Sequence, residues 1–350
     1  MPRITIANLP ATLDVRSGTI LEAALDAGLP FPHGCRSGNC GTCKSRVLQG
    51  RVDMLPHARD ALDEAEKAGG LILACRARPR TDLTIEWLGE AEEALPPVRR
   101  LAATVCGLER LTHDISGVRL EPQGAPLFFL PGQYAELCVD GRQPRPYSMA
   151  NPPDDPTLEF HIRHLPKGAA SGYVARHLRV GDPVRLNGPL GSAYLRPDDR
   201  PILAIAGGSG LAPIRSIVLS AVRRGDMCPV ALYFGVRDEP DLYGLDEIEA
   251  LAARHPCFRF SPVLSEPSGR TARRTGLVHE AVAVDFASLD GYSVHMAGPP
   301  AMVEAARTLV VERGGDPRRI FADPFVPFEK RSGGPRWMAS LARWFSPSHP

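Results

Sequence analysis

Cys35-Arg-Ser-Gly-Asn-Cys40-Gly-Thr-Cys43, answered by a lone Cys75 32 positions on, is the stretch from which the fold can be read outward. The spacing C-x4-C-x2-C with a distant fourth cysteine is the plant-type [2Fe–2S] ligand pattern. A loop that wraps a cluster and turns its N–H groups toward the sulfurs crowds its own backbone, and Gly34, Gly38 and Gly41 relieve that crowding. Incidental cysteines and a structural zinc site are the alternatives. Zinc sites usually space their ligands in short pairs, which Cys75 does not fit. Cys106, Cys138, Cys228 and Cys257 lie in apolar surroundings and read as buried small residues.

The flanks of the loop alternate or repeat with recognisable periods. Residues 3–9 and 12–16 alternate as strands, and Thr19 with Glu22 forms a capping box ahead of Ile20, Ala24 and Ala27 at helical spacing. A strand at 44–50, a short polar helix near 60–67 and strands near 71–74 and 82–87 complete a small α+β unit over residues 1–90. The acidic, proline-containing stretch 89–97 reads as a linker.

From 98 to 198 short strands separated by turn signals (101–106, 115–121, 133–139, 157–163, 183–187, with one helix at 171–179) predict an antiparallel β-barrel. Arg145-Pro-Tyr-Ser148 carries what a flavin needs. Tyr147 can stack on the ring, Ser148 can donate near N5, and Arg145 can fork onto a phosphate. His161 and Arg163 follow on the next strand, and Gly168-Ala-Ala-Ser171 opens a helix whose N-terminus suits a diphosphate. An ordinary barrel edge with exposed polar residues is the alternative. His161 and His164 form an H-x2-H pair, but without further ligands they do not predict a metal.

From 200 to 325 apolar runs at 202–206, 230–236, 259–264 and 293–297 alternate with helical patterns at 213–224, 245–254 and 300–312, which predicts a parallel sheet covered by helices. Ile202–Ala206 runs into Gly207-Gly-Ser-Gly-Leu-Ala-Pro213 and then a helix, an arrangement suited to a pyrophosphate, although the spacing is not G-x-G-x-x-G. A structural tight turn is the alternative. A second turn, Ala297-Gly-Pro-Pro300, again joins a strand to a helix, so two glycine turns would line one crevice.

Composition narrows the classes. The 350 residues carry 41 basic and 40 acidic side chains, a net +1, which gives no global attraction to nucleic acid. No run approaches the length of a membrane span, and the start of the chain lacks a signal-peptide core, so the cytoplasm is the expected location.

With these signatures in this order, the chain resembles the iron–sulfur flavoprotein NAD(P)H oxidoreductases, and in particular the reductase components of bacterial naphthalene-type aromatic ring-hydroxylating dioxygenases. Gly188-Pro-Leu-Gly-Ser-Ala-Tyr-Leu-Arg196, Tyr233-Phe-Gly-Val-Arg-Asp238, Asp241-Leu-Tyr243 and Ile320-Phe-Ala-Asp-Pro-Phe325 add to the likeness, which spans residues 3–328. It implies an N-terminal β-grasp ferredoxin-like domain, a six-stranded flavin barrel and a nucleotide-binding domain. Cys35, Cys40, Cys43 and Cys75 would hold the cluster. Arg145, Tyr147, Ser148, His161, Arg163, Gly168 and Ser171 would contact FAD, while Gly208, Ser209, Gly210, Pro213, Gly298 and Pro299 would face the nicotinamide nucleotide. Asp238, placed to bind ribose hydroxyls and repel a 2′-phosphate, favours NADH over NADPH, while Arg237 beside it points the other way.

Where the family often has cysteine before the second Gly-Pro turn, this chain has Ala297, and no catalytic acid or base is expected for hydride transfer. Electrons would run from the nucleotide through FAD and the cluster to a ferredoxin or oxygenase partner. A diiron monooxygenase or deoxysugar dehydratase reductase shares this domain order, and a non-catalytic redox carrier or sensor is the reading from another class. The tail 326–350 places Trp337, Leu341, Trp344 and Phe345 on one helical face opposite Arg336 and Arg343, which suits docking to a partner or a membrane surface; a disordered or self-packed tail is the alternative.

Overall fold

The computed structural model describes residues 2–9, 11–15, 18–27, 29, 31, 33, 38, 41–59, 61–88, 95–224 and 229–325. The tail 326–350 lies outside them, as do Cys35, Cys40 and Cys228. The described residues divide into two units, those of 1–95 and those of 96–326.

In the first unit the strands are β1 (Arg3–Ile6), β2 (Ala11–Asp14), β3 (Lys44–Gln49), β4 (Val52–Met54), β5 (Leu71–Leu73), β6 (Ala77–Pro79) and β7 (Leu83–Trp87). Five of them form one sheet in the order β2-β1-β7-β3-β5, with β1 and β7 parallel, the pairing of a β-grasp. Helix α1 (Ile20–Asp26) starts at the expected Thr19–Glu22 capping box and buries Ile20, Leu21 and Ala24 against the sheet residues Ile4, Ile6 and Ile85. Helix α2 (Glu64–Ala68) is shorter than the 60–67 pattern implies, because Asp63 caps it with Glu66, and the buried Ala61 and Leu62 before the cap join the core outside the helix.

The second unit opens with β8 (Arg99–Arg110), β9 (Ile115–Pro122), β10 (Tyr134–Val139), β11 (Arg145–Ser148), β12 (Leu158–Arg163) and β13 (Pro183–Leu190). They form an antiparallel sheet in the order β11-β10-β13-β8-β9-β12, and a bridge from Met149 to Phe160 joins its two ends into a barrel. Alternate residues fill it: Leu101, Ala103 and Val105, then Leu158, Phe160 and Ile162. Helix α3 (Ala169–Arg176) begins two residues before the expected 171 and packs on β10 and β12. Cys106 corrects the expectation of buried cysteines: it is exposed, beside the β8 bulge between Val105 and Gly107, and Cys257 is half-buried, whereas Cys138 is buried.

The remaining strands are β14 (Ile202–Gly207), β15 (Val230–Val236), β16 (Phe258–Leu264), β17 (Arg274–Thr275), β18 (Ser293–Gly298) and β19 (Ile320–Pro324), all parallel, in the order β17-β16-β15-β14-β18-β19. Helices α4 (Leu211–Arg223) and α5 (Leu245–Arg254) cover one face, and α6 (Val278–Asp285) and α7 (Pro300–Glu312) the other. The core under α4 also takes in Ile115 and Leu195, so barrel and sheet share buried surface. Strand order reverses between β14 and β18, and there the two glycine turns emerge. No helix among the described residues is long and apolar enough to cross a membrane.

His295 on β18 is a polar ring held in this core without hydrogen bonds. It is fully buried, stacked on Phe321 at 4.9 Å, and neither ring nitrogen has a partner. Burial first, then the Arg196 charge, holds its pKa down to about 3 from 6.5. The unfolded imidazole takes a proton near 6.5 and the folded one refuses it until about 3, so stability present above that window is lost as pH falls through it. Between pH 7 and pH 5 the wild type should lose about 2 kcal/mol from this residue alone. His295→Leu, measured by urea unfolding at both pH values, should be the more stable at pH 7 by about 1 kcal/mol and should lack that share of the pH slope.

Candidate functional sites at the cysteine turn and the barrel–sheet seam

Cys43 and Cys75, from the ends of the β3 and β5 pairing, come together in the first unit. Both are buried, and the Cys75 N–H donates to Cys43 Sγ at 3.4 Å. The Ala74 N–H donates to the Cys43 carbonyl and the Ala74 carbonyl accepts from Leu21 N–H, so helix α1 anchors the Cys75 turn. Gly38 and Gly41 have φ of +83° and +73°, and a Cβ on Gly38 would lie 2.9 Å from His57 Cβ. Backbone crowding, positive φ and an N–H aimed at sulfur are what thiolate ligation of a cluster demands, and these residues fit it.

On the barrel, Arg145, Tyr147 and Ser148 occupy β11, whose position at the end of the sheet order accommodates Pro146. Burial raises the Tyr147 phenol to about 12 despite Arg145 beside it, and burial likewise lowers the Arg145 guanidinium. Ser148 points to the other side and donates to Asp323 Oδ2 of β19 at 3.2 Å. Gly168 precedes α3 without a side-chain cap, and a Cβ there would run into Ser171 Oγ, which itself accepts from the Leu165 N–H at 3.1 Å. An uncapped helix N-terminus, a ring-sized aromatic and a guanidinium on one barrel are the groups a flavin dinucleotide takes.

Opposite lie the two glycine turns. Gly208, Ser209 and Gly210 form a 3-10 turn leading into α4, where Pro213 occupies the first helical turn, and neither turn nor helix has a side-chain cap. Gly298, at φ +142°, and Pro299 lead into α7. The turns touch: a Cβ on Gly298 would lie 2.8 Å from the Gly207 carbonyl oxygen, and one on Gly210 would meet the Ala297 carbonyl oxygen and Gly298 Cα. Part of the glycine pattern is therefore turn-to-turn packing. What remains open is the row of uncapped N–H groups, which suits a pyrophosphate. The Arg163 guanidinium lies beside Gly208 and is paired with Asp114 at 2.9 Å.

Asp238 follows β15. Its carboxylate accepts from the Glu239 N–H at 2.8 Å, and a Ser268 hydrogen bond holds it below the ordinary range, so it is ionised at neutral pH. Arg237 turns instead to the buried Asp241, 3.3 Å away.

Several residues at this seam escape sequence reading. Arg215 of α4 is half-buried between Glu247, at 2.6 and 2.9 Å, and Glu159, at 3.6 Å, and donates to the Ala150 carbonyl. Asp323 reaches Ser148 from the same face of β19 as Phe321, and Arg319 ends the 3-10 turn that precedes the strand. There Arg319 pairs with Asp198 at 2.9 Å and Phe321 lies under the Arg196 guanidinium. His161, which the resemblance gives to the flavin, has both ring nitrogens on protein partners, Tyr243 and Glu159.

Comparisons with known proteins match the chain part by part. Residues 4–80 match a 2Fe-2S iron-sulfur cluster binding domain, 103–194 an oxidoreductase FAD-binding domain and 204–308 an oxidoreductase NAD-binding domain. The chain is 40% identical over 330 residues, covering 93% of it and 98% of the relative, to the ferredoxin–NAD(P)(+) reductase component of the naphthalene 1,2-dioxygenase/salicylate 5-hydroxylase systems of Ralstonia sp.. It is 42% identical over 316 residues, 88% of this chain and 94% of the relative, to an aromatic O-demethylase reductase subunit of Amycolatopsis sp.. The solved Amycolatopsis cytochrome P450 reductase GcoB superposes with a TM-score of 0.79 at 40% identity, over 93% of this chain and 99% of that one. The chain thus belongs to the [2Fe–2S] flavoprotein NAD(P)H reductases, the family that includes the reductase components of aromatic dioxygenase systems, and its cofactors are a [2Fe–2S] cluster, FAD and NAD(P)H.

Proposed function

We propose that this protein is the NADH-dependent reductase component of an aromatic-ring oxygenase system, delivering electrons one at a time to a ferredoxin or oxygenase partner in the cytoplasm. The observation that carries the reading is the seam itself: two uncapped glycine turns at the switch point of the parallel sheet, tied to the flavin edge of the barrel by Ser148 and Asp323. Bound FAD supplies the conversion between the two-electron chemistry of a nicotinamide and the one-electron chemistry of an iron–sulfur centre.

The chain's own residues do the positioning. Arg145 and the start of α3 at Gly168 and Ser171 hold phosphates, Tyr147 covers the ring, and Ser148 is oriented by Asp323. Gly208, Ser209, Gly210, Pro213, Gly298 and Pro299 shape the nucleotide turn, and Cys35, Cys40, Cys43 and Cys75 ligate the cluster. This assigns residues 1–90, 98–198 and 200–325 to the cluster, flavin and nucleotide domains. The names of the relatives divide between dioxygenase, hydroxylase, O-demethylase and P450 systems, and the naphthalene-type dioxygenase is the reading favoured by the Tyr194–Arg196 and Asp241–Tyr243 segments.

Anaerobic titration with NADH should bleach flavin and iron–sulfur absorption together; bands that neither nucleotide changes would mean a carrier or sensor instead. NADH should outperform NADPH, because the ionised Asp238 repels a 2′-phosphate while Arg237 is engaged by Asp241. Asp238→Ala should lower the ratio of kcat/KM for NADH over NADPH by about tenfold. An unchanged ratio would remove Asp238 from the specificity site.

A further inference from the structure

Strand β12 sends Leu158, Phe160 and Ile162 into the barrel, which turns Glu159, His161 and Arg163 toward the nucleotide half. His161 is buried, with Nδ1 3.1 Å from the Tyr243 hydroxyl and Nε2 3.3 Å from Glu159 Oε1. The Tyr243 ring is wedged edge-on against His161 and Phe234, with centroids 5.2 and 5.7 Å away. Its hydroxyl has a second neighbour, the Gly208 carbonyl oxygen of the nucleotide turn, at 3.4 Å.

Counting hydrogens shows that these bonds compete. Burial raises the Glu159 carboxyl, but the His161 hydrogen bond and Arg215 outweigh it and bring it to about 2. A carboxylate has no hydrogen to give, so His161 Nε2 must donate to it. In the neutral ring Nδ1 is then bare and takes the Tyr243 O–H. In the imidazolium Nδ1 carries a proton and donates to the Tyr243 oxygen, and the hydroxyl hydrogen turns to Gly208. Burial pushes the Tyr243 phenol up, so the hydroxyl keeps its proton in both states.

The geometry of the turn gives that choice a consequence. In a trans peptide the C=O and the following N–H point in opposite directions. A bond from Tyr243 to the Gly208 oxygen therefore aims the Ser209 N–H away from Tyr243. Ser209 lies in the first turn, where the N–H groups have no earlier carbonyl to bind and are the ones a pyrophosphate would take.

We propose that Tyr243 is a positioning residue for the nucleotide turn, and that protonation of His161 decides whether its hydroxyl bonds to the imidazole or to the Gly208 carbonyl. The inference rests on the reductase reading, in that the turn binds a nicotinamide nucleotide. The charged and titratable groups around His161 are Glu159, Arg163 and His164 from β12 and its end, Arg119 from β9, Arg215 from α4, Glu247 from α5 and Asp114. Glu159, Arg215 and Glu247 pair among themselves and Arg163 pairs with Asp114, while His164 faces Ser116, 48 residues away from it in the chain. Burial, followed by the opposing effects of Glu159 and Arg215, sets His161 below the ordinary imidazole range, so the exchange falls on the acid side of that range.

The test is calorimetric binding of NAD+ to the oxidised, flavin-loaded full-length protein from about pH 8 down to the lowest pH at which the protein keeps its flavin. Wild type should bind roughly fivefold more tightly at the acid end, one hydrogen bond's worth of affinity. Tyr243→Phe and His161→Gln should each bind with a flat profile, their flavin absorption reporting that they fold. A residue that merely packs the seam would weaken binding equally at every pH and leave the step in place. A flat wild-type profile, or a step that survives Tyr243→Phe, overturns the proposal. Failure of wild type to bind NAD+ at any pH would instead overturn the reductase reading on which it rests.

Discussion

Gly210→Ala should fold, retain flavin and lose about 100-fold in kcat/KM for reduction by NADH. The backbone of Gly210, at φ −62° and ψ −12°, is right-handed helical, and on propensity alone alanine would be the better residue by about 1 kcal/mol. Space decides the other way. The added Cβ would overlap the Ala297 carbonyl oxygen and sit 2.8 Å from Gly298 Cα, and both are backbone atoms that no rotamer change can move aside. The two turns must part by on the order of 1 Å, at a cost of about 1–3 kcal/mol. A displacement of that size between reacting groups is worth about 100-fold in rate. Stopped-flow reduction of the flavin band measures it, and Gly269→Ala, at a glycine with nothing within 4 Å and no positive φ, is the control for a general effect of glycine replacement. Normal reduction kinetics in Gly210→Ala would mean the turns do not hold the nucleotide.

The parts of this site that announce themselves in sequence are those with a chemical reason to be local. A cluster loop must keep its ligands within one short segment, so Cys35, Cys40 and Cys43 lie close in the chain. A glycine turn between an apolar run and a helix is equally local, and Gly207–Gly210 and Ala297–Gly298 stand out for that reason. Arg215, Asp323 and Tyr243 meet partners 65, 175 and 82 residues away, and no local rule selects them. The alternation Leu158-Glu159-Phe160-His161-Ile162-Arg163 did carry a usable signal, since its period of two puts the three polar residues on one side.

Secondary structure shows the same division. Helix α6 escapes the sequence reading because Val278, Val282 and Val284 are β-branched and apolar, which blurs helical periodicity. Strand β19 escapes because it is short and ends in Pro324, yet its place at the sheet edge brings Asp323 to Ser148. Cys106 is exposed because the period of two puts it with Ala102 and Thr104 on the outer side of β8, opposite the buried Leu101, Ala103 and Val105, so apolar neighbours in sequence say nothing of its own side.

Cys75→Ser should separate the two halves of the electron path. Replacing even a hydrogen-bond partner of a metal ligand commonly costs about 10–100-fold in metal affinity, and loss of the ligand costs at least as much. The hydroxyl of serine is a harder and far less acidic donor than a thiol, and at a buried position it cannot supply a thiolate's charge. The fold should survive, because Cys75 contributes little apolar area and its turn is anchored through the backbone of Ala74 and Arg76 to Cys43, Leu21 and Leu73. Iron and acid-labile sulfide should therefore fall toward zero while flavin content stays normal. Reduction of the flavin band by NADH should continue, since Gly208, Gly210 and Ser148 lie in the other unit of the chain. Electron delivery to a one-electron protein acceptor should fall by about 100-fold or more, whereas a small quinone that accepts electrons directly from flavin should still be reduced. Full iron content in Cys75→Ser would remove Cys75 from the ligand set. Iron lost together with all NADH oxidation would mean that the cluster supports the fold rather than the last step of the path.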